Sequence, residues 1–71
     1  MSDTIEELEQ RVKKLSMRST DAKMNLHDLA EELPTDWDRI PVVAEATYAV
    51  FKELTAARKA LKAARQAEAA S

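Results

Sequence analysis

An all-α fold, a two-helix antiparallel hairpin, is what this sequence predicts, and three observations predict it. The 71 residues include no glycine, so no residue takes a positive φ cheaply and tight strand-to-strand turns are disfavoured. Alanine, leucine, glutamate, lysine and arginine dominate, all strong helix formers. Apolar residues recur at alternating spacings of three and four through two long runs, one on each side of Pro34 and Pro41, which is the period of a coiled-coil seam.

The first helix is expected over about residues 4–33. Asp3 or Thr4 offers an N-cap, with Glu6 or Glu7 three residues on as the reciprocal half of a capping box. Its seam runs through Ile5, Leu8, Val12, Leu15, Ser19, Ala22, Leu26, Leu29 and Leu33, with Ser19 its one polar member. Pro34 ends it, since the ring disfavours helical geometry at Leu33 and supplies no N–H.

Residues 34–41 form the connector, where Thr35 and Asp36 are expected to cap a short turn through Trp37 and Arg39. Pro41 suits a first helical position. The second helix, about residues 42–67, repeats the seam through Val43, Thr47, Val50, Leu54, Ala57, Leu61 and Ala64, with Phe51 widening the stripe and Gln66 to Ser71 expected to fray. Folding about the bend pairs positions that sum to roughly 76, placing Leu15 near Leu61, Ser19 near Ala57, Ala22 near Leu54 and Leu33 near Val43. The whole chain, residues 1–71, reads as one hairpin.

A single seam leaves each helix half exposed, and chains of this size need a staple or a partner. No cysteine is present, which excludes disulfides, thiolate metal sites and a thiol nucleophile. A homodimer, four helices in total, is the expected staple. Met17 and Met24 lie on a second stripe with Thr20, His27 and Glu31, away from the seam, and are candidate contacts. The expected location is cytoplasmic, because the acidic start Met-Ser-Asp-Thr-Ile-Glu-Glu is unlike a signal peptide and no apolar run approaches the roughly 20 residues of a membrane span.

The net charge of -2 conceals alternation. Residues 1–10 carry -4, residues 11–23 +4, residues 24–51 -5, residues 52–65 +4 and residues 66–71 -1, so a folded hairpin has a basic shaft and acidic ends. The bend gathers the single histidine, the single tryptophan and both prolines. His27 and Glu31, four residues apart, project from one helical face, with Asp28 beside them. Together they are the candidate metal ligands. One chain offers too few donors for zinc, which takes four, whereas two chains about a two-fold axis would bring two histidines and two glutamates together. Late first-row divalent ions, nickel or zinc, suit an imidazole.

At Met24-Asn-Leu-His-Asp-Leu-Ala-Glu-Glu-Leu-Pro-Thr-Asp-Trp, continued by Ile40-Pro41 and Ala44-Glu45-Ala46-Thr47-Tyr48, the chain resembles the small Rop-like helical hairpins encoded in nitrogen-fixation gene clusters, a family of unknown function. The resemblance covers roughly residues 5–65 and is specific in the Leu-His-Asp-Leu-Ala-Glu and Leu-Pro-Thr-Asp-Trp blocks. It implies a dimerising hairpin linked to nitrogenase assembly or maintenance through a related protein partner, and a metalloprotein label carried by the histidine that matches His27. Asn25 departs from the acidic residue associated with its position.

Trp37 is read first as a plug closing the seam over Leu33 and Phe51, and second, with Tyr48, as an anchor for a partner. The basic shaft, including Arg11, Lys13, Lys14, Lys59 and Lys62, is read as a solvated face. An RNA-binding regulator is the alternative function, set back by the acidic ends, and a ligand-free structural adaptor is a third. Catalysis has no motif behind it, with no thiol, no phosphate loop and no second histidine, and a hairpin is expected to form no concave pocket of the kind that tunes catalytic groups. No catalytic or cofactor-binding residue is assigned.

Overall fold

The computed structural model describes residues 3–70 and the side chains of residues 5–70, so the cap expected at Asp3 or Thr4 lies outside what is described. Two helices, α1 (Asp3–Glu32) and α2 (Ile40–Ala70), pack antiparallel on either side of a bend that holds one 3₁₀ turn, Trp37–Arg39. The result is a rod of 55 × 14 × 14 Å. There is no strand among the described residues, and no helix is long and apolar enough to cross a membrane.

The seam forms as its spacing demands. Ile5, Leu8, Val12, Leu15, Ser19, Ala22, Leu26 and Leu29 of α1 are buried or half-buried, as are Val43, Thr47, Val50, Leu54, Ala57, Leu61 and Ala64 of α2. Leu15, Leu54 and Ala57 make the core cluster, with Val12 and Val50 packed against it. Leu54, 2% exposed, is the most enclosed of these side chains. Ser19 sits in this dry seam without penalty, because its hydroxyl donates to the Ser16 carbonyl at 2.7 Å. Leu33 departs from expectation. The helix ends at Glu32, so Leu33 turns off the seam and is 40% exposed.

The two helices meet in a register nearer the bend than the sequence suggested. Leu15 packs with Leu54 and Ala57 where Leu61 was expected, and the Thr47 hydroxyl, which donates to Val43 at 2.8 Å, lies 3.5 Å from the Ala22 carbonyl where Leu54 was expected opposite. Facing positions thus sum to roughly 72 and not 76, a shift of about one helical turn. The cause is a bend centred earlier in the chain, at residue 36, since α1 already stops at Glu32 and α2 already begins at Ile40. Helix α2 starts at Ile40, whose N–H donates to the Trp37 carbonyl so that the 3₁₀ turn runs straight into it. At the far end α2 is helical to Ala70, past the expected end near residue 67. Alanine at positions 67, 69 and 70, the best helix former, explains that continuation.

Around the bend the peptide between Leu33 and Pro34 is cis. The Thr35 N–H donates to Glu32 and the Arg39 N–H to Asp36, both at 2.9 Å. Asp36 adopts φ 54°, ψ 30° and makes no side-chain cap, contrary to expectation. In the left-handed conformation it serves the turn by backbone shape, a role aspartate tolerates better than most non-glycine residues.

Candidate functional site

His27 lies near the C-terminal end of α1, with Glu31 one turn on and Asp28 adjacent, and the three side chains are each about 70% exposed. The histidine Nε2 stands 3.6 Å from Glu31 Oε1, and its Nδ1 stands 3.8 Å from Asp28 Oδ1. Both separations exceed hydrogen-bond length. Two ligand atoms about 2.1 Å from a tetrahedral ion are about 3.4 Å apart, so the Nε2 and Oε1 pair has close to the bite a cation needs. The two carboxylates face different ring nitrogens. An ion on Nε2 would meet Glu31, leaving Asp28 to accept from Nδ1–H and hold the ring, the usual arrangement around a ligating imidazole.

The local field favours a cation there. Asp28, Glu31 and Glu32 crowd the end of α1, whose last turn holds no basic residue, and negative charge at a helix C-terminus opposes the helix dipole. A single chain nonetheless provides a pair and not a cage. Among the described residues no group of three or more histidine, aspartate or glutamate side chains is placed to hold a metal. The residues fit a divalent ion only as two donors of its set.

The expected partner residues are all exposed, Met17 at 65%, Met24 at 59%, Trp37 at 67% and Tyr48 at 68%. Trp37 does not plug the seam. The 3₁₀ turn carries it outward, and Phe51, its supposed neighbour, is itself 39% exposed at the edge of the stripe. These residues do not form one patch. Met17 and Met24 share the outer face of α1, Trp37 is on the turn and Tyr48 is on α2, where the Lys52 ammonium stands 6.0 Å from its ring centroid.

A feature the sequence reading missed lies toward the other end of the rod. There the helices leave an open groove of about 640 Å³ floored by Val12, Leu61 and Ala69 and rimmed by Arg58, Lys62 and Arg65. A neighbouring groove of about 480 Å³ shares Val12, Leu61 and Arg65 and extends to Lys13 and Met17. Two ridged cylinders in contact leave such a trough along each side, open along its length and without the enclosure that tunes a catalytic group. Its signal was present in the spacing of Arg58, Lys62, Arg65 and Ala69 at four, three and four residues along one flank of α2. Arg65 also crosses the helices to donate to Glu9 at 2.6 Å.

A family model described as Rop-like matches residues 3–66. A UPF0437 protein of Azorhizobium caulinodans is 60% identical over 62 residues, covering 87% of this chain and 88% of the relative. UPF0437 protein y4xE of Sinorhizobium fredii is 52% identical over 59 residues, covering 83% and 88%. A UPF0437 protein of Frankia alni, named for its place in the nifX-nifW intergenic region, is 44% identical over 46 residues, covering 65% of this chain and 56% of the relative. No solved structure matches. The chain belongs to the Rop-like family.

Proposed function

We propose that this Rop-like hairpin is a non-catalytic accessory protein of nitrogen fixation, serving nitrogenase assembly or maintenance in the cytoplasm as a homodimer that binds a related protein partner. The observation that carries the nitrogen-fixation reading is the name of the Frankia alni relative, which sets that protein between two nif genes. The geometry favours binding over chemistry. His27 and its carboxylates are solvated on an open helix surface, whereas acid–base catalysis relies on enclosure to tune its groups. A divalent ion, nickel or zinc, is the ligand we assign to the His27–Glu31 pair, completed by donors from outside the chain.

The test is genetic. Deleting the gene for the Azorhizobium caulinodans relative should slow growth on dinitrogen and leave growth on ammonium unchanged, and expressing this chain should restore it. Equal growth of deletion and parent on dinitrogen would sink the proposal. An RNA-binding regulator is the second reading, favoured by the cationic rim of Arg58, Lys62 and Arg65. The apolar floor beneath that rim weighs against it, since phosphates need no greasy base.

A further inference from the structure

Among the described residues, half of the large apolar side chains that the fold leaves exposed fall in residues 33–42, at the bend. They are Leu33 at 40%, Trp37 at 67%, Ile40 at 39% and Val42 at 70%, while Met17, Met24, Tyr48 and Phe51 are spread along the two helices. Trp37 opens the 3₁₀ turn, and side chains three apart eclipse in such a turn, so Ile40 stands on the same side of the bend. The turn does not need the indole. Its hydrogen bonds join backbone groups, Thr35 to Glu32, Arg39 to Asp36 and Ile40 to Trp37. A tryptophan that the chain's own packing leaves in water is free to act as an anchor, and tryptophan is enriched among the residues that carry binding energy at interfaces.

We infer that the bend is a docking tip, and that Trp37 inserts into an apolar pocket of another protein whose rim carries lysine or arginine. This rests on the accessory-protein reading and gives the chemistry of its partner.

Charge selects the basic rim. Asp36 and Asp38 flank Trp37, and residues 24–51 hold Asp28, Glu31, Glu32, Asp36, Asp38 and Glu45 against Arg39, net -5. Among the described residues, Glu32, Asp36, Asp38 and Glu45 make no ion pair. Unneutralised carboxylates around an apolar anchor attract a cationic rim, and they repel the phosphates of nucleic acid and of anionic bilayers.

Area selects a concave partner over a second copy. The end of the rod covers roughly 200 Å², from 14 × 14 Å, about a quarter of the roughly 800 Å² per partner in a standard interface. Two like-charged tips set end to end would bury no more than that. A pocket that wraps the bend adds its sides, where Leu33, Ile40 and Val42 are exposed.

The test uses the full chain, with a photoreactive benzophenone residue at Thr35 beside the intact Trp37, expressed in Azorhizobium caulinodans growing on dinitrogen. Irradiation should give an adduct with a second protein, and the crosslinked peptide, read by mass spectrometry, should lie among lysine or arginine residues. Trp37→Ala and Asp38→Lys should each abolish the adduct and leave helix content and melting temperature unchanged. With the captured protein purified, the emission of Trp37, the chain's single tryptophan, should shift to the blue on binding, and Asp38→Lys should weaken affinity roughly thirtyfold, the loss of one strong anchor contact. An adduct that survives Trp37→Ala, one with a second copy of this chain, one at a surface without basic residues, or no adduct overturns the inference. Vesicles of phosphatidylcholine or phosphatidylglycerol should leave the emission unmoved, and a blue shift there would make the tip a bilayer contact instead. Normal growth on dinitrogen of a strain deleted for its own relative overturns the accessory reading. Where that deletion slows growth, full rescue by Trp37→Ala overturns the docking tip alone.

Discussion

Arg65 on α2 donates to the Glu9 carboxylate on α1 at 2.6 Å, tying the last third of one helix to the first third of the other. Both side chains are about half exposed, so water and salt weaken the attraction. Glu9→Gln should therefore cost less than about 1 kcal/mol in denaturant unfolding, with the difference from wild type shrinking at high salt. A loss of several kcal/mol would mean that the pair sets the register.

The seam, by contrast, is thin and intolerant. Leu54 is 2% exposed and packs with Leu15 and Ala57. Leu54→Ala should destabilise by about 2–4 kcal/mol, the transfer and cavity cost of a buried leucine. Measured at fixed protein concentration, a loss under 1 kcal/mol would show that the seam collapses around the vacancy.

Asp36, at φ 54°, tests the bend. A branched side chain in the left-handed region clashes with its own backbone, so Asp36→Val should cost about 1–2 kcal/mol and Asp36→Gly should be neutral or slightly stabilising. Equal melting temperatures for the two variants would contradict the turn geometry.

Nickel or zinc should perturb amide resonances from Met24 to Glu31 and leave residues 55–70 largely unmoved. His27→Ala should abolish the effect while helix content and oligomeric state stay as in the parent chain. Glu31 approaches the Nε2 side and Asp28 the Nδ1 side of the ring, so Glu31→Gln should weaken binding more than Asp28→Asn. Unchanged perturbation in the alanine variant would show that the ion reads only the acidic cluster.

Structured RNA should give no specific gel shift at near-physiological salt, with or without Lys59→Glu and Lys62→Glu. Phosphate contacts would instead produce a steep salt dependence and a loss on charge reversal. A tight, salt-sensitive and sequence-dependent complex would favour the regulator over the accessory protein.

The helices and their buried stripes were legible in the sequence, because heptad spacing and helix propensity act within one chain segment and need no knowledge of a neighbour. Fifteen of the predicted seam positions, from Ile5 to Leu29 and from Val43 to Ala64, are buried or half-buried for that reason. The site residues were legible only as spacings. That His27 and Glu31 are one turn apart follows from the helix, but that Glu31 and Asp28 meet different ring nitrogens depends on side-chain directions. The register, the outward turn of Trp37 and the groove over Val12 and Leu61 were decided by tertiary structure. A left-handed Asp36 and a 3₁₀ turn that merges with α2 bring the start of α2 to Ile40, and the position of a connector's midpoint fixes which residues of two helices meet although no periodicity encodes it.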